Sequence, residues 1–145
     1  MRFGSKAIVV LFGLFALLLF WGAYTVSLLS LVKVLLICFL PFVIVTVIRQ
    51  LINAPRPYEL YDFYDKRPKE KKGRSFPSRH VYSASVLAGV TVFLYPFLGS
   101  VMLIFALLLA ILRVLLGIHF LRDVICGGVI GLGAALLGVL LFAPF

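Results

Sequence analysis

Charged residues are scarce in this chain. They make up 13% of its 145 residues, and only five of them are Asp or Glu. Hydrophobic residues make up 63%, which is more apolar surface than a soluble domain of this size can bury. The composition excludes a soluble globular protein and predicts an all-α fold, a polytopic bundle of membrane-spanning helices.

Cysteine is also rare. Cys38 and Cys126 both lie in apolar stretches, where a thiol behaves as a small hydrophobic side chain. Two such residues define neither a disulfide framework nor a zinc site. Internal repeats and low-complexity tracts are missing as well, so we expect a single domain over residues 1–145.

The N-terminus lacks a convincing small-residue cleavage site. A short basic segment, Met1–Lys6, is followed at once by an apolar run to about Val32, as in a signal peptide. Because this run is longer than a signal peptide needs, we interpret it as the start of a retained membrane helix. Cleavage is the alternative.

The apolar segments have the lengths of membrane helices. About 20 apolar residues are needed to cross a bilayer as a helix. Pro96 with Gly99, and Gly117, are natural breaks, and one long polar segment, 49–79, is expected to form an active-site loop. The chain therefore predicts five helices, at 7–25, 29–48, 80–95, 100–116 and 119–141.

The basic residues indicate a topology. In a five-helix arrangement the N-terminus, the 49–79 loop and residues 113–122 fall on one side and hold 13 of the 14 Lys and Arg residues. The positive-inside rule places that side on the cytoplasmic face of the membrane, which we interpret as a bacterial cell membrane. Cysteine labelling at an engineered loop position tests this placement.

The net charge of +9 is then expected to set the orientation in the membrane and to attract anionic lipid or substrate, and no nucleic-acid partner is expected. An oligomeric state is not predicted.

Three short polar strings interrupt the apolar chain. Charged groups close to a membrane are costly and usually mark a site of chemistry. The strings are Arg49-x6-Arg56-Pro57, Pro77-Ser78-Arg79-His80 and Arg113-x5-His119-x3-Asp123.

The third string suggests an oriented nucleophile. His119 and Asp123 are four residues apart, so their side chains share one face of a helix, and a carboxylate there fixes the imidazole tautomer. A bend at Gly117 would let Arg113 end one helix while His119 opens the next. The alternative is that both residues only cap a helix end.

The other two strings suggest an anion site. Arg49 and Arg56 are nearly two helical turns apart, and two guanidinium groups on one face can grip a tetrahedral anion. Arg49 could instead be an ordinary helix-end residue. Ser78 is placed either to cap the helix that follows or to bind an anion at its start, with His80 beside it.

Taken in order, the three strings resemble the type 2 phosphatidic acid phosphatase superfamily of integral-membrane lipid phosphate phosphatases. Its pattern is Lys-x6-Arg-Pro, Pro-Ser-Gly-His and Ser-Arg-x5-His-x3-Asp, and the match spans residues 49–123. Three positions depart from the pattern. Arg49 replaces the lysine of the pattern, and Leu112 replaces the serine. Arg79 replaces the glycine, and its side chain would either narrow the pocket or add a hydrogen-bond donor. The five predicted helices also compare with the six common in the family.

The resemblance implies a hydrolase that acts through a phosphohistidine without a metal or other cofactor. His119 would attack phosphorus, Asp123 would orient it, and His80 would protonate the leaving oxygen and then activate water. The substrate would be a lipid phosphate monoester or diphosphate: polyprenyl diphosphate such as undecaprenyl diphosphate, phosphatidic acid or phosphatidylglycerol phosphate. A non-catalytic anion or lipid-phosphate binder or transporter, and vanadate-dependent haloperoxidase chemistry, are the alternatives. The implied phosphate-binding residues are Arg49, Arg56, Ser78, Arg79 and Arg113.

Overall fold

The computed structural model describes residues 2–61 and 72–142, with side chains from residue 4 onward. Part of the predicted active-site loop, residues 62–71, lies outside the described residues. The described part contains six helices and no strand. They are α1 (Arg2–Val26), α2 (Leu28–Ile52), α3 (Pro57–Leu60), α4 (Arg79–Leu94), α5 (Pro96–Leu115) and α6 (Leu121–Phe142).

Five of these helices form the predicted all-α membrane bundle, and α3 is a single turn. Four of them, α1, α2, α5 and α6, are long and apolar enough to cross a membrane. The fifth, α4, has 16 residues and is about 24 Å long, shorter than the hydrocarbon core. Ten of its residues between Val81 and Thr91 are buried, so α4 is the centre around which the other helices pack.

Several helix boundaries differ from the prediction. The second helix continues beyond residue 48 to Ile52, where Asn53 caps it in the left-handed conformation with φ of 45°. The fourth predicted helix begins at Pro96 and not at residue 100, because proline is favoured in the first turn of a helix. Gly99 therefore does not form the turn. It lies inside α5, where an added Cβ would come within 2.3 Å of the Val92 backbone nitrogen.

The last predicted break is confirmed. Gly117 has φ of +65°, a conformation that glycine adopts without steric cost, and it ends α5. Helix α6 begins at Leu121, two residues later than predicted, which leaves His119 in the connection and not on the helix.

Helix α6 packs closely against α4 through small residues at every fourth position. A Cβ on Gly127 would lie 2.6 Å from the Ser78 carbonyl oxygen, and one on Gly131 would lie 2.6 Å from the Tyr82 carbonyl oxygen. Small residues at such spacing let the backbones of membrane helices approach each other. This contact brings the start of α6 next to the start of α4.

All three polar strings meet at one end of the bundle. The Ser78 N–H donates to the Asp123 carbonyl oxygen at 2.9 Å, and the Arg49 side chain reaches the segment that precedes α4. The start of α1 is there as well, since a Cβ on Gly4 would lie 3.9 Å from Leu112 Cδ1. Which side of the membrane this end faces stays a prediction.

Candidate active site

Arg49 is buried in the last turn of α2, with 5% of its surface exposed. Its Nη1 donates to the carbonyl oxygen of Ser75 at 3.2 Å and to that of Pro77. Its Nη2 donates to the carbonyl oxygen of Arg74. Arg49 therefore holds the segment 74–77, which leads directly into α4.

Arg56 is fixed by a second set of bonds to the same loop. Its Nε donates to the Gly73 carbonyl oxygen at 3.0 Å. Glu59 Oε1 accepts from the Gly73 N–H at 2.7 Å and from the Arg56 N–H at 3.2 Å. The Tyr58 N–H donates to the Gly117 carbonyl oxygen at 3.1 Å, so the short helix α3 also ties Arg56 to the α5–α6 connection.

His119 and Asp123 lie together in the interior, 2% and 0% exposed. His119 Nδ1 is 3.6 Å from Asp123 Oδ2, which is longer than a hydrogen bond. The Ser75 hydroxyl lies 3.3 Å from the same nitrogen and donates to the same carboxylate oxygen. The Phe120 N–H donates to that oxygen at 3.0 Å.

Arg113 and His119 are joined through the backbone. The Arg113 carbonyl oxygen accepts from the Ile118 N–H at 3.1 Å and from the His119 N–H at 3.3 Å. Because Gly117 turns the chain back, two residues that would point apart on a continuous helix are brought to one site. This confirms the predicted bend.

Ser78 precedes α4 as its N-cap residue and is fully buried. Its side chain makes no capping bond, and its Oγ has no hydrogen-bond partner among the described residues. A buried polar atom without a partner is costly unless something else satisfies it. The capping role is therefore not observed, and the hydroxyl is available to a bound molecule.

Arg79 and His80 line a cavity of about 390 Å³ at the start of α4. The other walls are mostly apolar and come from α1, α2, α4 and α5. Ser83, Ala84 and Leu87 continue the α4 wall away from the histidine. His80 itself is exposed in this cavity and not packed into the core.

Charge concentrates around the two histidines. Arg56, Arg49 and Asp123 are all close enough to His119 to act on its charge. Burial lowers the pKa of His119 below its ordinary value of 6.5; Asp123 raises that pKa, and the two arginines lower it further. The imidazole is therefore neutral at neutral pH, the form that can act as a nucleophile.

His80 lies within electrostatic range of Arg113, His119, Arg79 and Arg49. Both predicted histidines thus share one positively charged neighbourhood with the predicted arginines. Such an arrangement suits a multiply charged anion such as a phosphoryl group.

Comparison with known proteins identifies the family. A profile of the PAP2 superfamily matches residues 28–144, which is most of the chain. The chain belongs to the PAP2 superfamily. A search of curated proteins found no match.

Two solved structures resemble this PAP2 protein. LpxE from Aquifex aeolicus superimposes with a TM-score of 0.75 at 24% identity, over 93% of this chain and 82% of that one. A PAP2-type phosphatidylglycerolphosphate phosphatase from Bacillus subtilis superimposes with a TM-score of 0.67 at 28% identity, over 92% of this chain and 72% of that one. The first likeness concerns the fold alone.

One polar residue of this PAP2 site was missed by sequence reasoning. Ser75 stands three residues before Ser78, outside the three strings, and nothing in its spacing connects it with His119. Its only signal is a small hydroxyl residue directly before the Phe76-Pro77 pair that leads into the second string.

Metal binding was not expected, and the described residues contain no group of three His, Cys, Asp or Glu side chains placed to hold a metal ion. The predicted independence from metal remains a prediction. Phosphate release in the presence of EDTA tests it.

The hydrogen bonds of Arg49 lead to a prediction about stability. Arg49→Gln removes the donors of three buried or partly buried carbonyl oxygens, and each unsatisfied group costs about 1–3 kcal/mol. We expect the thermal midpoint in detergent to fall by about 5 °C or more. Lys6→Gln is the control, since that side chain is exposed near the start of α1 and its loss should leave the midpoint nearly unchanged. Equal midpoints for Arg49→Gln and the wild type would contradict this role.

Proposed function

We propose that this protein is a membrane phosphatase that hydrolyses a lipid phosphate monoester or diphosphate through a phosphohistidine at His119. The observation that carries the proposal is the buried imidazole of His119, supported on its Nδ1 side by Ser75 and Asp123 and surrounded by arginines. Binding alone needs no such oriented nucleophile, and the PAP2 membership agrees with the activity.

The reaction would proceed in two displacements. The Nε2 lone pair of His119 attacks phosphorus, the bond from phosphorus to the leaving oxygen breaks, and that oxygen takes a proton from His80. His80 would carry this proton once the bound phosphate dianion offsets the positive charge of the nearby arginines. Water then attacks the phosphohistidine and gives a proton to His80. The N–P bond breaks, and its electron pair returns to Nε2 as inorganic phosphate leaves.

The phosphoryl oxygens would be held by the predicted arginines and Ser78. Positive charge that is already in place stabilises the charge spread over a phosphoryl group in its transition state. The Ser78 hydroxyl supports this assignment because it is buried without a partner among the described residues. Arg56, Arg79 and Arg113 supply the charge, while Arg49 donates at least three of its hydrogen bonds to the loop backbone.

The cavity beside Arg79 and His80 supports a lipid as the substrate. Along α4 it extends from Arg79 to Leu87, about 12 Å, and its walls become apolar as it leaves the charged end. A phosphate at the charged end would place a hydrocarbon chain along the apolar walls. One of the similar solved structures is a phosphatidylglycerolphosphate phosphatase, which acts on a lipid phosphate.

The direct test is phosphate release by the purified protein in detergent. The panel should contain phosphatidic acid, phosphatidylglycerol phosphate and a polyprenyl diphosphate, each with EDTA present and with and without vanadate. Release from one of these lipids, inhibited by vanadate, is the expected result. Binding of the lipids without release would instead assign the chain to the non-catalytic class.

A glycine in α1 allows the lipid cavity to be filled selectively. Gly13 lines the cavity, and a Cβ added there meets nothing within 4 Å. Gly13→Leu should therefore fold normally but exclude the substrate chain and displace its phosphate. A displacement of about 1 Å can cost about 100-fold in rate, so we expect kcat/KM for a long-chain lipid phosphate to fall by about 10–100-fold.

The matched control for this variant is Gly133→Leu. Gly133 lies on α6 away from the cavity, and a Cβ added there also meets nothing within 4 Å. It should keep wild-type activity, and both variants should hydrolyse a short water-soluble phosphate ester normally. If Gly13→Leu lowered kcat/KM equally for the short ester and the long-chain lipid, the cavity would not hold the chain.

A further inference from the structure

We propose that Ser75 is a positioning residue for the nucleophile, and that its hydroxyl carries the hydrogen bond between His119 and Asp123. The inference rests on the proposed function and adds a residue to its machinery. In this arrangement Asp123 acts on the imidazole through the serine and not by direct contact.

The geometry determines the direction of each hydrogen bond. The direct separation of His119 Nδ1 and Asp123 Oδ2 is 3.6 Å, while Ser75 Oγ lies 3.3 Å from the nitrogen and within hydrogen-bond distance of the carboxylate. An ionised carboxylate only accepts hydrogen bonds, so the single hydroxyl proton of Ser75 goes to Asp123. Ser75 Oγ must then accept from the imidazole.

The tautomer of His119 follows from these directions. Because Nδ1 of His119 donates to Ser75 Oγ, the imidazole carries its proton on Nδ1, and the lone pair is left on Nε2. Nε2 is the atom that the proposed mechanism uses for attack on phosphorus. Removing the serine hydroxyl would remove the acceptor that selects this tautomer.

Ser75 is itself held from several sides. It is fully buried, its N–H donates to the Ala54 carbonyl oxygen at 2.9 Å, and its carbonyl oxygen accepts from Arg49 Nη1 at 3.2 Å. The end of α2 therefore positions the serine, and the serine positions the histidine. In this chain Arg49 contributes to the site through the loop that carries Ser75.

The tautomer can be measured without any activity assay, because the chain has only two histidines. Selective ¹⁵N labelling of the imidazoles in detergent-solubilised protein gives two ring systems, and a His80→Gln spectrum assigns them. In the wild type we expect the His119 proton at Nδ1. In Ser75→Ala we expect a substantial fraction of it to move to Nε2.

The control is Ser85→Ala, which removes the hydroxyl of another buried serine on α4, outside the site. This variant should leave the His119 spectrum unchanged. A serine with a merely structural role would lower the thermal midpoint without moving the proton. A wild-type His119 protonated at Nε2, or a Ser75→Ala spectrum identical to that of the wild type, would overturn the proposal.

Kinetics provide the second measurement. Ser75→Ala should lower kcat by about 10–100-fold with little change in KM, because the phosphate-binding arginines remain. In an Asp123→Ala background the same change should cost less than about threefold, since both residues act through one hydrogen-bonded chain. Equal costs in the two backgrounds would show that Ser75 acts independently of Asp123. If the wild type released no phosphate, the proposed function would fail, while the spectra would still decide the hydrogen-bond assignment.

Discussion

Replacing His119 by alanine is expected to abolish lipid phosphate hydrolysis, with a loss of about 1,000-fold or more in kcat. The reason is that the proposed reaction has no other nucleophile: the phosphoryl group must be carried by an imidazole nitrogen between two displacements. The substitution leaves the arginines in place, so the variant should still bind the substrate and vanadate. Phosphate release from detergent micelles measures the loss, and binding of a labelled lipid phosphate measures the retained affinity.

The covalent intermediate gives this prediction a positive readout. A ³²P-labelled substrate quenched during turnover should leave acid-labile, alkali-stable label on the wild-type protein and none on His119→Ala. His119 is buried, so a fold check by thermal denaturation accompanies the variant. Lys6→Ala, an exposed residue near the start of α1, is the control and should keep its label. A His119→Ala protein that releases phosphate at the wild-type rate would remove His119 from this role.

Replacing His80 by glutamine is expected to produce a loss that depends on the leaving group. General acid catalysis contributes typically about 10²–10⁴-fold, and it matters most when the departing oxygen is a poor leaving group. For an alkyl or lipid phosphate, kcat/KM should fall by about that factor. For an aryl phosphate, whose phenolate departs without a proton, kcat/KM should fall much less.

The second displacement gives a further test of His80. The His80→Gln variant has no base to activate water. During turnover of an aryl phosphate, its phosphoenzyme should therefore accumulate to a higher level than that of the wild type. Ser85→Ala, on the same helix but outside the cavity, serves as the control and should have near wild-type rates on both substrates. An equal loss of kcat/KM on alkyl and aryl phosphates would show that His80 does not protonate the leaving oxygen.

Much of the fold follows from the sequence because its causes are local. The long apolar runs must become helices that satisfy their own backbone hydrogen bonds in a membrane, so the number of long helices was predicted correctly. The break at Gly117 was also predicted, since glycine adopts a positive φ without the steric cost that a Cβ imposes. The predicted start of α5 was wrong because Pro96 was interpreted as a turn residue, whereas proline is equally favoured in the first turn of a helix.

The three strings are likewise a property of the sequence. Their residue types and their order resemble the PAP2 pattern, which the family profile confirms, and they predict two histidines, an aspartate and several arginines at one site. Hydrogen-bond partners are different, because they depend on which distant backbones come together.

Only the tertiary structure determined which residues are hydrogen-bond partners at that site. Ser75 meets His119 and Asp123 across 44 and 48 residues of chain, and no local spacing encodes those contacts. Close packing of α6 on α4 leaves the Ser78 hydroxyl buried without a partner among the described residues. The direction of Arg49 toward the loop carbonyls depends on where the returning chain passes the end of α2. Composition and spacing determined the kind of site, whereas packing between distant segments determined how the nucleophile in it is held.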